Sequence, residues 1–145
     1  MKLVLQRVAR ASVSVNGNIV GKVSQGLLIL FGAEKQDHND KATYLADKAL
    51  SLRIFPDTQG KMNLSCLDIL GEVLVVSQFT LAGDCTKGRR PGFDKAAPSQ
   101  EAEALYRHFV EQVSASGLTV ATGEFGADMQ VELVNDGPVT FILER

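Results

Sequence analysis

An Asn-Gly pair near the start of the chain constrains the fold more than any other short feature. Val13 and Val15 alternate with serines before Asn16-Gly17, and apolar residues resume at Ile19 and Val20. Both central residues of a two-residue hairpin turn need positive φ, which asparagine and glycine tolerate better than other residues. The pattern therefore predicts a β-hairpin, with the valines on one face and the serines on the other.

The remaining sequence alternates between strand-like and helical segments. The run 26–33, GLLILFGA, is continuously apolar, as in a strand buried on both faces. Apolar residues recur at helical spacing from Asp40 to Leu52, with Asp37 or Asn39 available as a cap, and again after Pro98-Ser99. Further strand-like segments cover 72–81, 119–122, 129–134 and 139–143. We predict an α+β domain of about seven strands and two helices, with the helices packed outside a sheet or partly closed barrel.

Length and composition limit the class of protein. The 145 residues, of which 45% are hydrophobic and 22% charged, suit one globular domain over 1–145. The sequence contains no apolar run of the roughly 20 residues that span a bilayer and no signal peptide, so we expect a cytoplasmic protein without a membrane partner. In that compartment Cys66 and Cys85 are expected to be reduced thiols. The net charge of −2 argues against non-specific coating of nucleic acid, but it permits a local basic patch.

Several common kinds of catalytic site are missing from the sequence. His38 and His108 have no metal-ligand spacing, and we interpret both as structural or surface residues. We find no C-x-x-C pair, no nucleophile elbow, no P-loop and no dinucleotide fingerprint. We therefore expect no metal and no cofactor.

Polar residues end the apolar run of 72–81. Ser77, Gln78 and Thr80 occur in the segment SQFTL, just before a loop that contains glycine and proline. Strand alternation would place Gln78 and Thr80 on one face, and Ser77 and Phe79 on the other. These side chains either line a site or satisfy neighbouring backbone groups.

A Gly-Pro pair separates the last two strand-like segments, in the sequence NDGPVT. Gly137 allows close approach of its backbone to a ligand, and Pro138 cannot donate to a sheet ladder. A cis bond before proline costs only about 0.5–1 kcal/mol, and it would turn two successive carbonyl oxygens the same way. The pair is therefore either a turn or a rigid pair of acceptors for a ligand.

The segment TKGRRPGFDK concentrates basic residues. Lys87, Arg89, Arg90 and Lys95 lie within nine positions of one another, in a loop with glycine and proline. This loop is either a solvated surface or a binding site for phosphates.

SQFTL (Ser77–Leu81) and NDGPVT (Asn135–Thr140), in this order and at this separation, resemble the signature motifs of the D-aminoacyl-tRNA deacylases. The resemblance covers nearly the whole chain, including LQRVARASVSV, KGRRPGF and EALYRHFV, with a small departure at GRRPGF. It implies a β-barrel-like fold, a homodimer, and hydrolysis of the ester between a D-amino acid and the 3′-terminal adenosine of tRNA. It also implies release of glycine from mischarged tRNA. The alternative is a non-catalytic barrel that binds RNA or DNA.

The resemblance assigns stereochemical selection to the second motif. It implies a cis bond between Gly137 and Pro138, in a loop that reaches into the partner subunit's pocket and includes Asn135, Val139 and Thr140. The two carbonyl groups would reject an L-side chain, whereas a D-side chain would point away from them. Arg7 would brace this loop across the dimer.

The resemblance assigns catalysis to the first motif and tRNA contact to the basic segment. Main-chain N–H groups near Gln78 and Phe79, which follow Ser77, would polarise the ester carbonyl. Thr80 would either orient the substrate or act as the nucleophile, and the ribose 2′-OH would help to activate water. The residues expected to contact tRNA phosphates are Lys87, Arg89 and Arg90.

Overall fold

The computed structural model describes residues 1–145 and contains eight strands, two α-helices and one 3-10 helix. The strands are β1 (Lys2–Val15), β2 (Asn18–Val23), β3 (Gly26–Gly32), β4 (Phe55–Pro56), β5 (Met62–Leu64), β6 (Glu72–Ser77), β7 (Val120–Thr122) and β8 (Met129–Glu144). The helices are α1 (Asn39–Ser51) and α2 (Ser99–Ser114), and the 3-10 helix η1 covers Phe79–Ala82. The predicted α+β class and barrel-like sheet are confirmed.

Strand β1 is the spine of the main sheet. One of its edges pairs with β3 along residues 2–8 and with β2 along residues 11–15, and its other edge pairs with β8. Strand β6 joins β3 in parallel, and β7 joins β6 in parallel. Strand β2 then approaches β7 so closely that a Cβ atom at Gly21 would lie 2.5 Å from the carbonyl oxygen of Thr122. The sheet is therefore a nearly closed barrel, with β4 and β5 forming a separate small sheet.

The predicted hairpin and the predicted buried strand are both present. Asn16 and Gly17 have φ values of 51° and 80°, as the two-residue turn between β1 and β2 requires. Strand β3 packs on both of its faces: Leu27 and Ile29 belong to the core under the two helices, and Leu28 belongs to a smaller core inside the barrel. The continuous apolar run of β3 follows from this double burial.

The structure corrects the prediction of two strands around Gly137-Pro138. Strand β8 continues through the pair, because β1 holds it on both sides. The pairing passes from Gln6 with Thr140 to Val8 with Asn135, so residues 136–139 bulge outward between these two points. Proline is tolerated at this position because the bulge does not need its missing N–H group.

Two local predictions were also wrong. Strand β6 ends at Ser77, and the chain then turns into η1, so strand alternation does not extend to Phe79 and Thr80. Neither Asp37 nor Asn39 caps α1: the residue at the cap is His38, which makes no side-chain capping bond. The Asp37 carboxylate instead accepts a hydrogen bond from the Glu34 N–H at 2.7 Å, and it pairs with Lys41.

Neither α1 nor α2 is long and apolar enough to cross a membrane.

Candidate active site

The polar end of β6 forms part of the wall of a cavity of about 540 Å³, and 'the cavity' below always means this one. Ser77, Gln78 and Phe79 line it, whereas Thr80 lies outside the lining. The start of α2 with the residues just before it, and the turn that leads into β8, supply most of the remaining lining, which is mainly apolar. Their lining residues are Ala96, Ala97, Ser99, Ala102, Phe125, Gly126, Ala127, Asp128 and Met129.

Hydrogen bonds fix the chain where β6 turns into η1. The Gln78 N–H donates to the Phe31 carbonyl oxygen at 2.7 Å, which extends the sheet by one residue beyond β6. The Gln78 side-chain amide donates to the Thr80 hydroxyl oxygen at 2.5 Å. The Thr80 hydroxyl therefore acts as an acceptor towards Gln78 and keeps its own proton for another partner.

The basic segment forms a closed loop after η1. In this basic loop (residues 84–95), the N–H groups of Asp84 and Gly92 each donate to the other residue's carbonyl oxygen, at 2.7 and 2.9 Å. Hydrogen bonds from the Thr86 hydroxyl and N–H hold the pKa of the Asp84 carboxyl below its usual range. Asp84 is thus ionised and attracts Lys95 at 3.8 Å. The other three basic residues are exposed and have no carboxylate partner within 4.0 Å: Lys87, Arg89 and Arg90.

The Asn135 side chain closes the Gly-Pro loop (residues 135–140). Its amide nitrogen donates to the carbonyl oxygens of Arg7 at 2.9 Å and Val139 at 3.0 Å, and its amide oxygen accepts the Val139 N–H at 3.3 Å. Between these anchor points the Gly137–Pro138 peptide bond is cis, and both residues are exposed. Val139 itself is buried, so the loop is fixed at its base and accessible at its tip.

The Arg7 side chain contacts and braces the Gly-Pro loop of its own chain. Its Nε donates to the Asp136 carbonyl oxygen at 2.8 Å and lies 3.3 Å from an Asp136 carboxylate oxygen. Its Nη1 donates to the Ile54 carbonyl oxygen at 2.5 Å, and the side chain is only 10% exposed. One buried guanidinium thus links the Gly-Pro loop to the segment that follows α1.

The two sequence motifs do not meet within one chain's cavity. Gly137 and Pro138 are absent from its lining. Thr140, at the far end of the Gly-Pro loop, pairs through its hydroxyl with the Gln6 amide at 3.2 Å on the β1 side. A single chain therefore carries the two motifs as separate surfaces.

The remaining reactive side chains do not contribute to the cavity. The His108 ring contacts the Thr43 hydroxyl at 2.9 Å, which links α2 to α1. Cys66 is buried, and burial raises the pKa of its thiol to about 12. Cys85 is exposed in the basic loop, and both cysteines are unpaired.

A family model described as D-Tyr-tRNA(Tyr) deacylase matches residues 4–144. The chain belongs to this family. Membership confirms the resemblance that the two motifs indicated, and it makes the chain a hydrolase.

Curated relatives of the deacylase family match the chain over its whole length. A D-aminoacyl-tRNA deacylase from Pelobacter propionicus is 61% identical over 145 residues, which cover all of both chains. The D-aminoacyl-tRNA deacylase from Geotalea uraniireducens is 60% identical over 144 residues, or 99% of this chain and 93% of that one.

Two solved structures share the deacylase fold. One, called c-Myc DNA Unwinding Element Binding Protein, has a TM-score of 0.94 at 42% identity and covers 100% of this chain and 99% of its own. A probable eukaryotic D-amino acid tRNA deacylase has a TM-score of 0.83 at 19% identity, covering 98% and 97%. The second likeness concerns the fold alone.

Sequence reasoning missed one wall of the deacylase cavity. Residues 125–129, which form the turn before β8 and the first residue of that strand, carry only one ionisable side chain, the exposed Asp128, and match no catalytic motif. Gly126 has a φ of 77°, which marks a tight turn. Such a turn before a long strand was the available signal, but it does not indicate which surface the turn faces.

Proposed function

We propose that the chain hydrolyses the ester between a D-amino acid and the 3′-terminal adenosine of tRNA, as one domain (1–145) in a cytoplasmic homodimer. The observation that carries this proposal is the cavity, whose wall includes Ser77, Gln78 and Phe79 in a chain of the deacylase family. A mainly apolar cavity with a few polar groups suits a flat base and an ester at its edge.

The wall of the cavity suggests how the ester is activated. Since the Gln78 N–H is already bonded to Phe31, we assign polarisation of the ester carbonyl to the Phe79 N–H. The lining contains no histidine or cysteine, and its one ionisable side chain, Asp128, is exposed on the turn before β8, so the substrate's ribose 2′-OH is the group that we assign to help activate water. Thr80 has no base in contact, and its hydroxyl accepts from Gln78, which favours an orienting role over that of a nucleophile.

We assign the rejection of L-amino acids to the Gly-Pro loop of the partner subunit. The exposed tip at Gly137 and Pro138 presents main-chain groups without side-chain cover, and Arg7 and Asn135 hold its base. Carbonyl oxygens placed against the substrate's Cα would exclude an L-side chain for any amino acid. Glycine has hydrogen in that position, so glycyl-tRNA would also be hydrolysed.

The outer edge of β8 supports a dimer. Strand β8 pairs only with β1, so its other edge presents unpaired backbone groups on both sides of the Gly-Pro loop. Phe141 and Ile142 on this strand are 37% and 67% exposed, and Val134 is 38% exposed. A second copy that covers this apolar strand would bring its own Gly-Pro loop to the interface.

The decisive experiment compares D-tyrosyl-tRNA, L-tyrosyl-tRNA and glycyl-tRNA as substrates. We expect D-tyrosine to be released at least about 100-fold faster than L-tyrosine, which corresponds to about 2.7 kcal/mol between the two transition states. Glycine should be released as well. The measurement is release of radiolabelled amino acid over the spontaneous rate. Equal rates for D- and L-tyrosine would contradict the stereochemical proposal, and no release of either would contradict hydrolysis.

A nucleic-acid-binding barrel without catalysis is the second candidate. It is favoured by the similarity to the structure called c-Myc DNA Unwinding Element Binding Protein, at 42% identity. Absence of release from every aminoacyl-tRNA, together with salt-dependent binding to a DNA duplex, would support this candidate instead.

Removing two charges from the basic loop tests its contact with tRNA. We expect Arg89→Ala with Arg90→Ala to raise KM for D-tyrosyl-tRNA and leave kcat nearly unchanged, because phosphate contacts mainly add affinity. The slope of log KM against log salt should fall by about 1.4, or about 0.7 for each single-strand phosphate contact. Lys22→Ala with Lys48→Ala is the control, since it removes equal charge from exposed residues of β2 and α1. A salt slope equal to that of the control would exclude the contact.

A further inference from the structure

Two exposed phenylalanine rings pack against each other beside the cavity. The ring centroids of Phe79 and Phe93 lie 5.0 Å apart with an interplanar angle of 54°. Phe79 is 59% exposed and Phe93 is 39% exposed, although aromatic rings that pack together are usually withdrawn from water. Their mutual contact leaves a large aromatic surface open to solvent. Packing in the core of one chain therefore does not explain why the two rings lie together.

This aromatic pair connects the cavity to the basic loop. Phe79 belongs to the cavity wall, and Phe93 directly follows Gly92, whose hydrogen bonds to Asp84 close the basic loop. The Phe93 ring passes so close to Gly83 that a Cβ atom there would lie 3.2 Å from its Cε1 atom. The ring is therefore held in place by η1 and its exit, and it does not project freely.

We propose that Phe79 and Phe93 form a stacking platform for the nucleotide that precedes the terminal adenosine of tRNA. This inference rests on the proposed function, in which the terminal adenosine occupies the cavity. The acceptor end of tRNA is single-stranded, so its bases are free to stack on protein side chains. Proteins that bind single strands combine aromatic platforms with positive charges that follow the backbone. Here the charges are those of Lys87, Arg89 and Arg90.

Charge complementarity favours RNA as the occupant. Phe93 lies in the same loop as these three exposed cations, which have no carboxylate within 4.0 Å. The other charges of the loop are the Asp84–Lys95 pair and the exposed Asp94, so the loop stays positive and a polyanion gains both stacking and attraction at this surface. A second copy of this chain, with its own cations there, would gain only the apolar contact. Stacking on a ring tolerates every base, which suits an enzyme that must act on many tRNAs.

The test uses two substrates that differ only in the preceding nucleotides. D-tyrosyl-tRNA contains the stacked base, whereas 3′-O-D-tyrosyl-adenosine ends at the cavity. We expect Phe93→Ala to raise KM for D-tyrosyl-tRNA between about 5-fold and 150-fold, the loss typical of one base–aromatic stack. KM and kcat for D-tyrosyl-adenosine should stay within about twofold of the unaltered protein. Phe93→Trp should restore KM for the tRNA, because it keeps a flat ring in the same place.

Controls separate stacking from general damage. Tyr44→Ala removes another exposed aromatic ring, on α1, and should leave both substrates unaffected. An equal rise of KM for both substrates, or a Phe93→Ala protein whose dimer dissociates on size-exclusion chromatography, would overturn the inference. So would unchanged kinetics of Phe93→Ala with the tRNA while the unaltered protein is active. If the unaltered protein releases tyrosine from neither substrate, the proposed function fails as well.

Discussion

Gly137→Ala is expected to lower kcat/KM for D-tyrosyl-tRNA by at least about 100-fold. A Cβ atom at this position would overlap the main-chain nitrogen of Val139 and lie 2.7 Å from its Cγ2 atom. Val139 cannot yield, because it is buried and its N–H and carbonyl groups are both bonded to Asn135. The tip of the Gly-Pro loop must therefore move, and a displacement of about 1 Å in a positioning element costs on the order of 100-fold in rate.

Single-turnover hydrolysis, with thermal unfolding as the check on stability, measures this effect. Gly92→Ala is the matched control: it is also a loop glycine, but a Cβ atom there meets nothing closer than 3.9 Å. Activity of Gly137→Ala within about threefold of the control would show that the loop tip does not contact the substrate.

The same variant tests whether the loop acts on the partner's cavity. Ala102→Phe fills the cavity from α2 and should be inactive alone. A mixed dimer of Gly137→Ala and Ala102→Phe subunits has one site in which both the cavity and the loop are unaltered. Since half of randomly assembled dimers are mixed, about a quarter of the unaltered activity should return after co-expression. No recovery would indicate that each loop serves its own chain.

Arg7→Ala should reduce both stability and stereochemical selection. The substitution removes the donor from the Ile54 and Asp136 carbonyl oxygens, in a place where the side chain is only 10% exposed. Hydrogen bonds from a charged donor contribute about 1.5–3 kcal/mol each, so we expect the loss of two of them to lower the free energy of unfolding by about 3–6 kcal/mol. The released Gly-Pro loop should also narrow the ratio of D- to L-tyrosyl-tRNA hydrolysis by about tenfold or more.

Urea unfolding and the D/L ratio together separate these two effects. Arg7→Lys keeps the charge, but one ammonium group cannot reproduce the planar fork that reaches both carbonyls, so its losses should be intermediate. Arg10→Ala, on the same strand but exposed, is the control and should change neither quantity appreciably. A stable Arg7→Ala protein with unchanged selection would show that Asn135 alone holds the loop.

The strands were predictable wherever the residues that determine their conformation lie within one short stretch of sequence. The alternation around Val13 and the turn at Asn16-Gly17 need only local φ preferences and period-two burial. The apolar run of β3 likewise records burial on two faces. The outcome was different at Gly137-Pro138, where local rules predicted an end to the strand. Pairing with β1, more than 120 residues away in sequence, carries β8 through the bulge.

The candidate site likewise has parts that the sequence predicted and parts that it did not. The motifs SQFTL and NDGPVT, and with them the family, were readable from residue types and spacing. The other lining residues were not, because Ala102, Phe125 and Met129 have no reactive groups and belong to the site only by lining the same cavity as Phe79. Likewise, the sequence presents Phe93 only as an apolar residue in a basic loop, and its ring contact with Phe79 depends on the path of η1.

The sequence by itself determined the family, the hairpin, the double burial of β3 and the two motifs. Only the tertiary structure decided that β8 is continuous, that Arg7 joins Ile54 to Asp136, and that the two motifs lie on separate surfaces of one chain. The physical reason is the separation along the sequence over which each interaction acts. Backbone preferences and burial periodicity act over a few residues, whereas a buried guanidinium or a cavity wall requires groups that the folded sheet alone brings together.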